Sequence, residues 1–249
     1  GSNQTVCANN PDVQLNGSVT VVTGGAWSGG NGAFSPDSNT LNAVYTPTAA
    51  EIANGSVDLT LTSTGNGNCE AVTDVMTINI TPAPTADAGL DQEVCSNNPD
   101  VTLSGSVTSA TGGSWSGGLG SFTPNANSLN TVYSPAQVEI DAGSVTLFLT
   151  TTGIGNCIAV TDSLTITFSP SPTADAGTNQ TVCANNADVA LNGAVTVATG
   201  GTWSGGNGSF APNANTLNAI YPPTQTEIDS GGVPLTLTTS GNGDCLAVS

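Results

Sequence analysis

The side chains able to do chemistry are six cysteines and 18 carboxylates, in a chain with no Lys, no Arg and no His. That inventory excludes more than it permits. Acyl-transfer triads, histidine-held metals and arginine clamps all need residue types that are absent. A zinc site wants clustered cysteines or histidines, and there is no CxxC pair. Paired carboxylates for glycoside hydrolysis must flank a groove. The recurring acids Asp12, Asp100 and Asp188, beside an NN dipeptide, and Asp74 and Asp162 read as surface turn residues. The chain is therefore not expected to be an enzyme.

Calcium is the one metal that suits an all-oxygen donor set. Asp87, Asp91, Glu93 and Asp100 crowd one stretch and are the candidate ligands, so calcium is the only cofactor considered. The corresponding stretch further on has Asn179 for Asp91 and Thr181 for Glu93, which argues against a site at every such place.

These residues recur with a period of 88. The tryptophans Trp27, Trp115 and Trp203 lie in GGAWSGGNG, GGSWSGGLG and GGTWSGGNG. One set of cysteines is Cys7, Cys95 and Cys183, the other Cys69, Cys157 and Cys245. Tyr45, Tyr133 and Tyr221 keep the same register, as do the Glu-Ile pairs at Glu51, Glu139 and Glu227. A unit of this length is the size of a small β-sandwich and far longer than a stacking helical repeat. Pro-containing runs before PTADAG, at Pro84 and Pro172, mark the joints. The expected repeats are residues 1–84 (first strand partly truncated), 85–172 and 173–249 (last strand missing), as if cut from a longer array.

The elements that must position these groups are short strands. In the second copy apolar residues alternate at Val101, Leu103 and Val107, at Val145, Leu147 and Leu149, and at Leu164, Ile166 and Phe168, with no helical stripe. Turn signals separate them: Gly117-Gly118, Pro124-Asn125 and Gly153 to Asn156. About seven short strands per unit predict an all-β chain of tandem immunoglobulin-like, PKD-like sandwiches in an elongated array. Thr48-x-x-Glu51 and Thr224-x-x-Glu227 have the form of a helix capping box, and the second copy has Ala136 at the cap, so the glutamates read as structural. Trp27, Phe34 and Tyr45 read as core; one Trp per unit in a Gly-rich turn is a poor sugar-binding platform.

Periodicity leaves two neighbour schemes for the cysteines: Cys7 with Cys69 inside each copy, or Cys69 with Cys95 across a joint. Cys7 is read as lying near the start of the first strand, hence at the same pole as Cys69. The expectation is then one disulfide per repeat: Cys7–Cys69, Cys95–Cys157 and Cys183–Cys245, each closing 62 residues. Disulfides imply an oxidising, extracellular location.

A formal charge of −18 without one cationic side chain rules out nucleic-acid binding and attraction to anionic membranes. No apolar run is long enough to span a bilayer, so direct membrane insertion is not expected. Trypsin-like proteases find no cleavage site, and lysine-dependent cross-links cannot form.

At ADAGLDQEVCSNNPDVTLSG, GGSWSGGLGSFTP and EIDAGSVTLFLTTTGIGNC the chain resembles the Ig-like, PKD-like repeats of giant Bacteroidetes surface proteins, over its whole length. Among these it looks most like SprB-type gliding-motility adhesins, which implies type IX secretion and a filament associated with the outer membrane. Asp162-Ser163-Leu164 also fits the short O-glycosylation pattern of that phylum.

Two functions follow as expectations. The first is a structural stalk or spacer of a cell-surface adhesin, each unit adding about 40 Å, with neighbouring repeats as partners. The alternative is a ligand- or glycan-binding module whose loops hold a surface polysaccharide or another surface protein. The loops of the three copies differ by small swaps such as Asn31 against Leu119, which favours the spacer.

Overall fold

The computed structural model describes all 249 residues. The first repeat runs β1 (Gln4–Cys7), β2 (Val13–Gln14), β3 (Gly24–Ser28), β4 (Ala33–Ser35), β5 (Val44–Thr46), α1 (Ala49–Asn54), β6 (Ser56–Thr64) and β7 (Thr73–Thr81). It forms a four-stranded sheet, β1-β7-β6-β3, and a three-stranded sheet, β2-β5-β4. The outermost pair is parallel: β1 lies beside β7 with Gln4 opposite Ile78 and Cys7 opposite Thr81. The alternation of buried and exposed residues along β6 and β7 follows from one face of the sheet being covered and the other wet.

The second repeat repeats the plan with β8 (Thr85–Asp87), β9 (Gln92–Cys95), β10 (Val101–Ser104), β11 (Ser106–Thr108), β12 (Gly112–Ser116), β13 (Ser121–Thr123), β14 (Asn130–Ser134), α2 (Gln137–Ala142), β15 (Ser144–Thr152) and β16 (Thr161–Ser169). Its sheets are β12-β15-β16-β9 and β10-β14-β13, and β8 pairs with β11. The third repeat has β17 (Thr173–Asp175), β18 (Val189–Ala190), β19 (Ala194–Thr196), β20 (Gly200–Ser204), β21 (Ile220–Tyr221), α3 (Gln225–Ser230) and β22 (Thr236–Ser240). Here the large sheet is reduced to β20-β22, since only Ser249 stands in the place of β7 or β16. The fold is all-β, in immunoglobulin-like sandwiches, each with its own apolar core.

Those cores are built alike. Trp27, Leu59, Leu61, Met76 and Ile78 meet in the first, Trp115, Leu147, Leu149, Leu164 and Ile166 in the second, and Trp203, Leu191 and Leu237 in the smaller third. Each indole N–H donates to a carbonyl 14 residues on: Trp27 to Leu41 (3.1 Å), Trp115 to Leu129 (3.2 Å) and Trp203 to Leu217 (3.0 Å). The ring can lie there because Gly17, Gly105 and Gly193 have no Cβ; one added would come within 2.9 Å of the indole Cζ2.

The one-and-a-half-turn helix α1 carries the chain from β5 in one sheet to β6 in the other. Its box is complete at Thr48, whose amide donates to Glu51 at 2.8 Å while Glu51 N donates to the Thr48 hydroxyl at 3.3 Å. At Ala136 only the half that needs no hydroxyl survives, the amide donating to Glu139 at 2.8 Å. Each helix ends at a left-handed glycine, Gly55, Gly143 or Gly231.

Candidate functional site

The positions where neighbouring repeats meet carry the cysteine chemistry, and its pattern differs from the expectation. The bonds are Cys7–Cys157 and Cys95–Cys245, each with Cα atoms 5.0 Å apart and 150 residues between the partners. Cys69 and Cys183 are free and exposed. The pairings Cys7–Cys69, Cys95–Cys157 and Cys183–Cys245 are therefore wrong, and so is one bond per repeat: there are two, and each crosses a joint.

The physical reason is strand direction. Cys7 stands at the end of β1, and because β1 is parallel to β7 it falls opposite Thr81, where the chain leaves the repeat. Cys69 precedes the opposite end of β7. Thr73 and Thr81 are roughly 26 Å apart at the rise of an extended strand, far beyond the reach of a disulfide. Cys157 lies in the loop before β16, at the pole of the second repeat that faces the first.

Around each bond the turn after the first cysteine grips the loop of the next repeat. Asn10 N donates to Cys7 O at 2.9 Å and closes the turn. Asn9 then makes a two-way contact: its amide donates to Ile158 O at 2.8 Å and its oxygen accepts from Ile158 N at 3.0 Å. Asn10 donates to Asn156 O at 3.2 Å, and Asn156 donates back to Thr5 O at 3.1 Å. The second joint repeats this with Asn97 and Leu246 (3.0 Å both ways) and with Asn98 donating to Asp244 O at 3.2 Å. Asp244 stands where Asn156 does and has no amide to donate, so that return bond is missing. A chain without cationic side chains cannot join its units by ion pairs between side chains; primary amides do it instead.

The calcium candidates are not gathered: no group of three or more acidic, Cys or His residues could hold a metal ion. Asp87, Asp91, Glu93 and Asp100 are all exposed. Two of them serve the backbone: Asp91 accepts from Thr165 N at 2.8 Å, tying β9 to β16, and Asp87 accepts from Gly89 N at 2.9 Å. Asp162 accepts from Ala88 N at 2.7 Å and ties the start of the second repeat to its last strand.

Inside each repeat the tyrosine and glutamate form a buried pair that sequence reasoning missed. Tyr45 donates to Glu51 at 2.8 Å, and Tyr133–Glu139 and Tyr221–Glu227 match it at 2.8 Å. The same carboxylate accepts from Asn31 N at 2.7 Å, and the tyrosine oxygen accepts from Gly32 N at 2.9 Å. Burial pushes the Tyr45 and Tyr133 hydroxyls up to about 12, with the neighbouring carboxylate adding to it. Burial alone would also raise Glu51 and Glu139, but the donors aimed at each carboxylate outweigh it and hold both below the ordinary value. For Glu227 the Asn207 amide is the largest cause, and the carboxyl lies at about 2. Gly30, Gly118 and Gly206 make room: each has positive φ, and a Cβ there would strike the tyrosine hydroxyl. The constant six-residue spacing from Tyr to Glu, read with the preceding glycine pair, was the available signal. In the first two repeats, where the last strand covers the core, Glu51 and Glu139 are structural clamps saturated with donors. Trp27, Trp115 and Trp203 are likewise buried, at 2–3% exposure, so no aromatic platform for sugar forms from them.

No protein-family model and no curated protein sequence matches the chain. Among solved structures it is similar to titin domains I67–I69 in an E-to-A variant, at 10% identity and a TM-score of 0.43, over 99% of this chain and 93% of that one. It is also similar to mouse cadherin-23 EC22–24 (11%, TM-score 0.40, 97% and 91%) and to extracellular cadherin domains 1–4 of protocadherin gamma B7 (11%, 0.37, 99% and 72%). These values are too low for any property of those proteins to pass to this chain.

Proposed function

We propose that the chain is a structural segment of an extracellular surface protein, a stalk built from repeats divided near residues 84 and 172, whose joints are reinforced by disulfides. The observation that carries this reading is that both joints have the same covalent and amide-to-backbone weld. A binding module needs accessible loops at the poles of its units, whereas here the turn and loop at each joint are spent on the neighbour. Disulfides that span repeats support a location outside the reducing cytoplasm. The resemblance at ADAGLDQEVCSNNPDVTLSG supports the finer reading of a bacterial adhesin filament, with gliding motility as its setting and neighbouring repeats as its partners.

Stretching one molecule between its ends tests the stalk. With both bonds closed, the shortest covalent path runs from Gly1 to Cys7, across to Cys157, back to Cys95, across to Cys245 and on to Ser249. At full extension that path measures roughly 260 Å, against roughly 870 Å for the reduced chain. A stalk protected in this way must show the short limit when oxidised and the long one after reduction. Equal limits, or specific strong binding to a surface polysaccharide on a glycan array, would overturn the spacer reading in favour of a binding module.

A further inference from the structure

Seven Asn-Gly pairs occur in the chain: Asn16-Gly17, Asn31-Gly32, Asn54-Gly55, Asn66-Gly67, Asn192-Gly193, Asn207-Gly208 and Asn242-Gly243. Asparagine before glycine has a reaction of its own, because the glycine nitrogen can attack the side-chain amide with no Cβ in the way. The fold decides which pairs can use it. In five the glycine N–H is spent on a hydrogen bond: Gly17 and Gly193 donate to Leu41 O and Leu217 O, both at 3.0 Å, Gly32 and Gly208 to the Tyr45 and Tyr221 hydroxyls, both at 2.9 Å, and Gly55 to Glu51 O at 3.1 Å. Gly67 and Gly243 donate to nothing.

The turn around these two glycines is the reason. Cys69 N donates to Asn66 O at 3.0 Å and Cys245 N to Asn242 O at 3.1 Å, which closes a four-residue turn and leaves the amide of its second residue, the glycine, unused. Gly67 and Gly243 are exposed, with φ of +61° and +60° and open space where a Cβ would stand. The asparagine side chains are loosely tethered. Nδ2 donates to Ser63 O at 3.0 Å in Asn66 and to Thr239 O at 3.4 Å in Asn242, and neither Oδ1 accepts anything. A single bond must therefore break before the side-chain carbon can swing onto the glycine nitrogen. The second repeat closes the same loop, Thr151 N bonding Val160 O at 2.9 Å as Thr239 N bonds Val248 O at 2.8 Å, but Ile154 stands in the place of the asparagine.

We propose that Asn66-Gly67 and Asn242-Gly243 are self-modification sites that convert to isoaspartate and aspartate in the folded chain, while the five bonded pairs stay intact. The glycine nitrogen forms a bond to the asparagine Cγ, the Cγ–Nδ2 bond breaks, and the proton lost from the glycine leaves, through water, on the departing ammonia. The product is a succinimide ring. Water then opens it: attack at Cγ gives aspartate, and attack at the main-chain carbonyl gives isoaspartate, whose backbone passes through the side chain and is longer by a methylene. Either product adds a negative charge. At Asn242 the change falls in the loop that Asn97 and Asn98 grip and that carries Cys245, with Asp244 close by in the chain. The second joint is thus built to loosen with age, and the first, with Ile154, is not. The inference goes beyond the stalk reading and does not depend on it.

The test ages the whole oxidised chain in mildly alkaline buffer and follows every Asn-Gly pair by peptide mapping, with isoaspartate scored by enzymatic methylation of its free carboxylate. Asn66 and Asn242 should convert at least about tenfold faster than any bonded pair, since freeing a glycine amide costs about one hydrogen bond. In the reduced chain unfolded by denaturant, all the pairs should react at similar rates. After conversion, hydrogen exchange should quicken at the Leu246 amide, which donates to Asn97, and stay unchanged at the Ile158 amide, which donates to Asn9. Asn242→Ile, which copies the second repeat, should keep both amides as they were through the same ageing. Equal rates at all pairs in the folded chain, faster loss at a bonded pair, conversion without any isoaspartate, or an unmoved Leu246 amide in the converted chain would each overturn the proposal.

Discussion

Replacing Cys7 by Ser and, separately, Cys69 by Ser separates the Cys7–Cys157 bond from its rival, Cys7–Cys69, by which of the two variants loses stability rather than by the size of one loss. In the chain-entropy description a bond closing 150 residues limits the unfolded chain by about 5 kcal/mol, and one closing 62 residues by about 4 kcal/mol, so magnitude alone cannot tell them apart. Location can. Cys7 is bonded to Cys157 and Cys69 to nothing. Cys7→Ser should cost up to about 5 kcal/mol, shared between the first two repeats, because the constraint is fully released only when both have unfolded. It should also split one coupled calorimetric transition into two. Cys69→Ser should leave the thermogram within about 0.5 kcal/mol of the parent, as an exposed substitution does. Peptide mapping without reduction should recover Cys7 with Cys157, Cys95 with Cys245, and two alkylatable thiols per chain. Equal losses from the two variants, or a Cys7–Cys69 peptide, would refute the assignment.

Three more outcomes follow from the tyrosine–glutamate clamp. Glu139→Ala removes the acceptor for the Tyr133 hydroxyl and for the Ala136 and Leu119 amides, and should destabilise the second repeat by about 3 kcal/mol or more, against about 1.5 kcal/mol for Tyr133→Phe, in denaturant titrations. Gly118→Ala combines a left-handed backbone with a methyl group pressed on Tyr133 and Glu139, and should cost at least about 2 kcal/mol by the same measurement. Stability should depend on pH at both extremes. Glu51, Glu139 and Glu227 are depressed, so their contribution is complete above the ordinary value of 4.5 and is lost as pH falls through the folded values, near 2 for Glu227. Tyr45 and Tyr133 are raised, so theirs is complete below 10.0 and is lost as pH rises toward about 12. Melting scans from pH 2 to 12 check both limbs; a flat profile below pH 4.5 would rule out the acid one.

The sandwich was legible because a half-buried sheet writes its two faces into alternate residues, as at Leu164, Ile166 and Phe168. The bonding was not, because the decisive fact is that β1 runs parallel to β7. No local residue choice distinguishes Gln4–Cys7 paired in that direction from the same strand reversed, and reversal moves Cys7 from one pole to the other. Glu51 was recognisable as a cap from Thr48, yet its contact with Tyr45 depends on how β5 enters the helix, a matter of tertiary geometry. The calcium candidates failed for a related reason. Asp91 and Glu93 are near in sequence, but an extended chain spreads them over an open surface instead of folding them round an ion.

The two bonds also define overlapping rings, residues 7 to 157 and 95 to 245. A single backbone cut anywhere between Cys7 and Cys245 falls inside at least one ring, so the severed pieces stay attached through sulfur. A protease must hydrolyse two well-chosen peptide bonds to shed any piece from that span, whereas a chain already cut once comes apart on reduction.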